Sequence, residues 1–259
     1  MADNHGRGRK FTRLRGALAR ITLIVSISVP GGCAKPFDPF QVPREDVRSR
    51  IRTIAMAPAY VPQSMMSLAD TRATFEPFAK DRLESAGFQV IPSETWAELW
   101  QQAAADLGGV YDASTGEVDE ERFLLVREAV YRTLESEYGA HAVLYLNVSL
   151  NDLYSTGSHV HFCGGSGKVY FPSGDSAEPD RFLAVTMVRA ACISANLYDM
   201  EIRYLYGIRH ALEIVETYAR QTRAIRPEGE RLKDPTQIER ALEAIIGPLA
   251  DGAGPSRPD

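Results

Sequence analysis

RFLAVTMVRAACISANLYDMEIRYLYGIRHALEIV, residues 181–215, is the stretch that decides the fold. Its first part, RFLAVTMVRAACISANLY (181–198), has strand character and is long enough that a bent or bulged strand is expected. RYLYGIRHALEIV (203–215) is expected to pair back on it through a turn at Asp199. Upstream, AVLYLNVSL (142–150) starts apolar on both faces, as a central strand does. Between them, HVHFC (159–163) and KVYF (168–171) flank the Gly-rich CGGSG and read as a hairpin. These segments make the second half of the chain mostly antiparallel sheet.

The first half alternates strands and helices. IRTIAMAP (51–58) reads as a strand ended by Pro58, and FQVI (88–91) as a second. Between them Thr74 caps a helix expected over 75–86, with Pro77 in its first turn and Gly87 after its end. Ser93 caps a further helix to Leu107, where Trp96 and Trp100 share one face at i, i+4, a spacing that suits packing better than a ligand platform. The polar stretch DASTGEVDEE (112–121) lacks EF-hand spacing and reads as a turn. It leads into a helix over 120–138 whose expected buried stripe is Phe123, Val126, Val130 and Leu134. Asp234-Pro235 starts the last helix, with Gln237 placed to complete a capping box. The order predicts an α/β fold: a mixed sheet with long antiparallel strands, covered by helices.

IRTIAMAP, a helix closing in LESAGFQVIPSETW, then a later strand opening HAVLYLNVSL, together resemble envelope lipoproteins with a CsgG-like or TolB-amino-terminal domain. The likeness spans about residues 51–215 and rests on pattern. It implies an α/β sandwich and a place among proteins that include a secretion-channel component and activators of cell-wall synthases. It carries no catalytic residue to this sequence.

The composition of the 259 residues, 44% apolar and 24% charged, is that of a globular chain and excludes collagen-like and disordered classes. The charge is not evenly spread. Arg7, Arg9, Lys10, Arg13, Arg15 and Arg20 precede the apolar run ITLIVSISV (21–29), and small residues with Cys33 follow. Basic flank, short apolar core and small-residue break are the parts of an export signal. The uncharged stretch 21–34 is too short for a membrane span, which needs about 20 residues. VPGGC (29–33) resembles the lipobox of bacterial lipoproteins, although Pro30 stands where that family has Leu, Val or Ile. The resemblance implies lipidation of Cys33, and Ala34 after it implies sorting to the outer membrane. Removing residues 1–32 takes away six basic and one acidic side chain, leaving 23 basic against 33 acidic, a net charge near −10. Nucleic acid is therefore not an expected partner, because phosphate contact needs Lys and Arg. The expected organisation is a signal peptide over 1–32, an extended tether over 33–50, one α/β domain over 51–250 and a disordered tail over 251–259.

Three constellations could carry chemistry. His159, His161 and Cys163 share one strand face, and Cys192 or His210 could complete a tetrahedral zinc or copper site. Against this, an exported chain tends to oxidise its remaining thiols, so a Cys163–Cys192 disulfide is the expectation, with free buried thiols as the other alternative. CGGSGK lacks the spacing of a phosphate loop, since Phe162 and Val169 occupy positions that need Gly and Ser or Thr. Arg220, Arg223 and Arg226 recur every three residues and on a helix would form a ridge for carboxylates of glycan or an acidic protein. A solvated face balanced by Glu228 and Glu230 is the plainer account. No G-x-S-x-G or H-E-x-x-H motif is present, and no cofactor is expected. The sequence thus points to a non-enzymatic, lipid-anchored periplasmic domain that binds or assembles with another envelope protein or a cell-wall component. The alternatives are a subunit of an oligomeric CsgG-like pore, and a metal-dependent periplasmic enzyme built on the His159/His161/Cys163 strand.

Overall fold

Eight strands and five α-helices follow one another in the computed structural model, which describes residues 37–66, 68–155, 159–169, 186–219 and 222–251. The strands are β1 (Thr53–Met56), β2 (Gln89–Ile91), β3 (Ala142–Ser155), β4 (His159–Phe162), β5 (Gly165–Lys168), β6 (Thr186–Asp199), β7 (Tyr204–Ala219) and β8 (Thr222–Ile225). The helices are α1 (Arg44–Arg50), α2 (Leu68–Ser85), α3 (Ser93–Asp106), α4 (Glu120–Tyr138) and α5 (Pro235–Asp251). Six strands form one sheet in the order β2-β1-β3-β6-β7-β8, and β4-β5 form a separate hairpin. β1 pairs parallel with β2 and β3, whereas β3, β6, β7 and β8 pair antiparallel. The expected α/β fold with a mixed sheet and long antiparallel strands is the fold observed.

Alternation of side chains sorts the core onto two faces. Ile54 and Met56 of β1, with Leu144, Leu146 and Val148 of β3, face the layer of α1, α2 and α5. Ala55 and Ala57, with Val143, face α3 and α4. β1 is buried at all four positions, which is what a parallel strand between two helical layers requires. Among the described residues, no helix covers the second face beyond α3 and α4. There Val188, Ala190, Cys192, Ala211 and Ile214 pack against Val160 and Phe162 of the hairpin. Register shifts along β6–β7, at 189/190, 191/192 and 197/198, bend these long strands as their length had suggested.

Residues 37–50 are not a tether. Pro39 O accepts from Gly207 N (2.9 Å), Gln41 N donates to Leu205 O (2.9 Å), and Phe40 is buried with its ring 4.9 Å from that of Tyr206. Val47 of α1 is in the core. The prolines and charges that suggested a solvated linker suit this place for another reason. Pro39 offers its carbonyl to an edge strand and has no N–H to strand, and Pro43 precedes the first turn of α1. The side of β7 away from β6 is thereby covered at its start, while Arg226 N bonds Val215 O and β8 closes the other end.

Other differences are local. α2 begins at Leu68, so Pro77 is inside the helix and not in its first turn. Ser93 is the first residue of α3; its hydroxyl donates to the buried Glu76 carboxylate, which also accepts from Ala59 N at 2.9 Å. Asp234 caps α5 through Thr236 N (3.0 Å), but the Gln237 amide reaches Leu212 O and closes no box. α4 starts at the Asp119 cap and ends at Gly139, whose φ of 64° is the left-handed conformation expected there. Cys33 and its lipobox, Arg220 and the tail after Asp251 lie outside the described residues.

Candidate functional site

The Gly-rich segment is the second strand of the β4–β5 hairpin and not a loop. Its turn is Cys163-Gly164, both with positive φ (49° and 76°). Glycine is needed at 165 and 167 because the hairpin lies close on the sheet: a Cβ at Gly165 would be 2.9 Å from the Ala211 methyl, and one at Gly167 would be 3.3 Å from Ile214 Cδ1. Cys163 is joined to Cys192 of β6 by a disulfide, with Cα atoms 6.2 Å apart. That bond takes both thiolates away from any metal. Val160 and Phe162 point to the sheet, so His159 and His161 lie on the outer face of β4 and are exposed. Gly165, the cross-strand partner of Phe162, packs on the His210 ring, so His210 is on the other side of the hairpin from them. The residues proposed as one metal site are thus not brought together, and no cluster of three or more His, Cys, Asp or Glu side chains suited to a metal forms among the described residues.

The arginines form no helical ridge. Arg223 is on strand β8, where it pairs with Glu216 (3.2 Å) and lies 5.2 Å from the Tyr218 ring centroid. Arg226 follows the strand and reaches Ile214 O (3.4 Å) and Glu213 (3.6 Å). Arg231 is buried and donates to Arg226 O (2.9 Å) and to Ser64 O. Arg223 and Arg226 thus tie β8 and the residue after it to β7, and Arg231 ties the β8–α5 connection to the β1–α2 segment. Glu213 itself accepts from Leu232 N (2.8 Å), and burial pushes its carboxyl above the ordinary value of 4.5 despite the Arg226 and Arg231 charges. A carboxyl with a raised folded-state pKa binds its proton more tightly when folded, so its ionisation costs stability as pH rises above 4.5. Glu213→Gln is therefore expected to flatten that part of the stability–pH profile. Urea titrations between pH 4 and 7 check this, and an unchanged slope would count against it.

Two features had no clear signal in the sequence. One is a cleft of about 310 Å³ between α1, the end of α4 and the β6–β7 turn, lined by Val47, Arg50, Glu135, His141 and Met200. The turn is held by Asp199, which accepts from Glu201 N (3.0 Å), Arg203 N (2.8 Å) and Arg203 Nε (2.6 Å). The other is a continuous row of aromatic rings. Phe123 meets Trp100 edge-on at 5.0 Å, Trp100 stacks on Trp96 at 4.9 Å, and Trp96 meets Tyr145 at 6.5 Å. Tyr145 then meets Tyr198 at 5.9 Å, and Tyr198 meets Tyr204 at 5.2 Å. The Tyr204 ring fills the space where Gly207 has no side chain, and its hydroxyl donates to Asn196 Oδ1 at 3.1 Å. Burial raises the Tyr131 and Tyr145 phenols above their ordinary pKa, so the pair, 3.1 Å apart, stays protonated at neutral pH.

At its outer end this row meets solvent. Phe123, expected in the buried stripe of α4, is 38% exposed, and Tyr131 takes the inner position instead. Leu107, Tyr111, Val118, Leu124 and Leu125 are also exposed on the end of α3, the connecting loop and the start of α4. The loop is ordered by Asp112, which accepts from the Ser114 hydroxyl and from Ser114 N and Thr115 N, and these bonds hold its carboxyl at about 2. These apolar side chains are thus left in solvent around the α3–α4 connection, and Phe123 joins them to the aromatic row.

No protein-family model matches the chain, and no curated protein matches its sequence. No helix among the described residues is long and apolar enough to cross a membrane. Among solved structures, lipoprotein GNA1162 from Neisseria meningitidis aligns over 77% of this chain and 98% of its own, with 14% identity and a TM-score of 0.34. A neuraminyllactose-binding hemagglutinin homolog from Helicobacter pylori aligns over 85% of this chain and 89% of its own, with 11% identity and a TM-score of 0.32. The chain is thus distantly similar in structure to these two bacterial proteins, and at TM-scores below 0.5 neither alignment bears on its activity.

Proposed function

We propose that this chain is a lipid-anchored domain of the bacterial envelope, facing the periplasm from the outer membrane, that binds or assembles with another envelope component and has no catalytic role. The observation that carries the binding role is the exposure of Leu107, Tyr111, Phe123, Leu124 and Leu125 around the α3–α4 connection, where Phe123 meets the stacked tryptophans. The address rests on the basic-apolar-Cys33 segment, and the Cys163–Cys192 bridge fits an oxidising compartment. Crosslinking in intact cells tests the role. The wild-type chain is expected to capture a defined envelope component, and Leu124→Glu with Leu125→Glu to lose that adduct. Both side chains are exposed, so the thermal midpoint is expected to move little. An adduct that survives both changes would place the partner elsewhere.

A subunit of a CsgG-like pore is the second possibility, favoured by the length of β3, β6 and β7. Asp152, Arg189 and Glu216 lie side by side across these three strands and pair at 2.8 Å and 3.7 Å, while the hairpin occupies the other face. A lipid-facing strand surface would not carry that row. Native mass after mild detergent extraction separates the two, because a ring would favour the pore. A metal enzyme on His159 and His161 would have to work without the Cys163 thiolate, and elemental analysis of purified protein tests for it.

A further inference from the structure

We infer that the folded domain lies directly against the phospholipid surface that holds its anchor, with the β7 edge at which Phe37 enters turned to the bilayer. This rests on Cys33 being the lipid-modified residue and adds where the domain must then sit. Only Ala34, Lys35 and Pro36 separate Cys33 from Phe37. Four residue steps at no more than about 3.6 Å each reach about 14 Å. A free tether over 34–50 would have allowed about 60 Å on the same basis.

The missing length is committed to the fold. Pro39 and Gln41 are hydrogen-bonded to Gly207 and Leu205, Phe40 is packed on Tyr206, and Val47 is in the core. Releasing that length would expose Phe40 and Val47 and break the edge pairing, so the leash stays short. Its point of departure is also set. Residue 39 bonds residue 207 and residue 41 bonds residue 205, so the segment runs antiparallel to β7 and its continuation to Phe37 leads toward Arg209. The long strands of the sheet extend about 46 Å at their usual rise. A body of that size, held within about 14 Å of an acylated residue at one edge, has that edge at the lipid headgroups.

The side chains there suit the interface. Phe37 is 64% exposed, with nothing in the fold covering most of its ring, and an apolar ring gains by entering the headgroup–acyl boundary. Arg209 is exposed on the adjoining part of β7 and offers a cation to lipid phosphate. The aromatic surface of α3 and α4 belongs to the layer over the β1–β2 side, toward the other edge of the sheet, and so remains open to a periplasmic partner.

Full-length lipidated protein in phosphatidylethanolamine–phosphatidylglycerol vesicles, with and without bromine on the acyl chains, provides the test. Phe37→Trp is expected to lose emission in brominated vesicles, beyond any loss seen in wild type, whose tryptophans are Trp96 and Trp100. Tyr111→Trp, on the α3–α4 loop, is expected to lose none. Equal emission of Phe37→Trp in both vesicles, with the protein floating with the lipid, would overturn the apposition and leave the anchor intact. Quenching of Phe37→Trp and Tyr111→Trp alike would also overturn it. Flotation that is unaffected by Cys33→Ser, or absent from wild type, would remove the lipid-anchor reading and the apposition together.

Discussion

Replacing Cys163 and Cys192 together by alanine is expected to lower the stability of the oxidised protein by about 3.6 kcal/mol, the chain-entropy value for a 29-residue loop. For a domain of this size that corresponds to a fall of about 7–14 °C in Tm. The bridge matters because a two-stranded hairpin is marginal alone. The β4–β5 hairpin holds to the sheet through Val160, Phe162 and Val169, and its close approach relies on glycines that add no contact area of their own. Amide exchange over 159–168 should accelerate in the double variant, whereas α4 and β1, on the other side of β3, keep their protection. Thermal unfolding with and without a thiol reductant is the check. Reductant should shift the wild type toward the variant and leave the variant unmoved. Equal midpoints for oxidised wild type and variant would show that the bridge contributes nothing.

Tyr206→Ala is expected to cost about 3–5 kcal/mol, the range for removing a large buried aromatic side chain. Tyr206 is fully buried where three parts of the chain meet: its own strand β7, the edge segment through Phe40, and α5, whose Ile245 carbonyl accepts its hydroxyl at 2.6 Å. Tyr206→Phe keeps the ring and removes only the hydroxyl's bond to a carbonyl that α5 already pairs within the helix, so about 0.5–1.5 kcal/mol is expected. Denaturant unfolding separates the two, with the alanine variant the less stable. A second readout concerns the leash. Without the Tyr206 ring, Phe40 loses its packing partner, and protease cleavage between residues 37 and 50 should quicken in Tyr206→Ala more than in Tyr206→Phe. Uniform cleavage rates would mean that the edge segment is held by its backbone bonds alone.

Much of the fold was legible because local chemistry and tertiary packing agree in it. α4 shows this best: Asp119 caps it, Gly139 ends it in the left-handed conformation, and Val126, Val130 and Leu134 are buried. The antiparallel return after Asp199 was legible for the same reason, since long strand-forming runs on either side of a polar turn have few other ways to pair. The candidate sites were less legible. His159 and His161 do share one face of β4, but Cys163 falls in the turn after it, and period two says neither where a strand stops nor what lies opposite. The arginine triplet assumed a helix; residues 222–225 are a strand because β7 offers them an edge. Phe123 fits the helical stripe and is nonetheless 38% exposed, since the helical period fixes its face of α4 and not how far the neighbouring helix reaches over it.

By itself, then, the sequence determined the class of fold, the basic-then-apolar order of its first 33 residues and the pairing of its two later cysteines as one of a few possibilities. These depend on periodicity, charge order and residue counts, which are properties of the chain alone. The tertiary structure decided that Cys163 bonds Cys192, that the glycines of CGGSG bring a hairpin onto the sheet, and that residues 37–50 are folded rather than tethering. Each of those depends on what a segment meets from far away in the chain: Cys192 for Cys163, Ala211 for Gly165, and Tyr206 for Phe40. Prolines and charges look alike in a free linker and on a covered sheet edge until the strand that accepts them is in place.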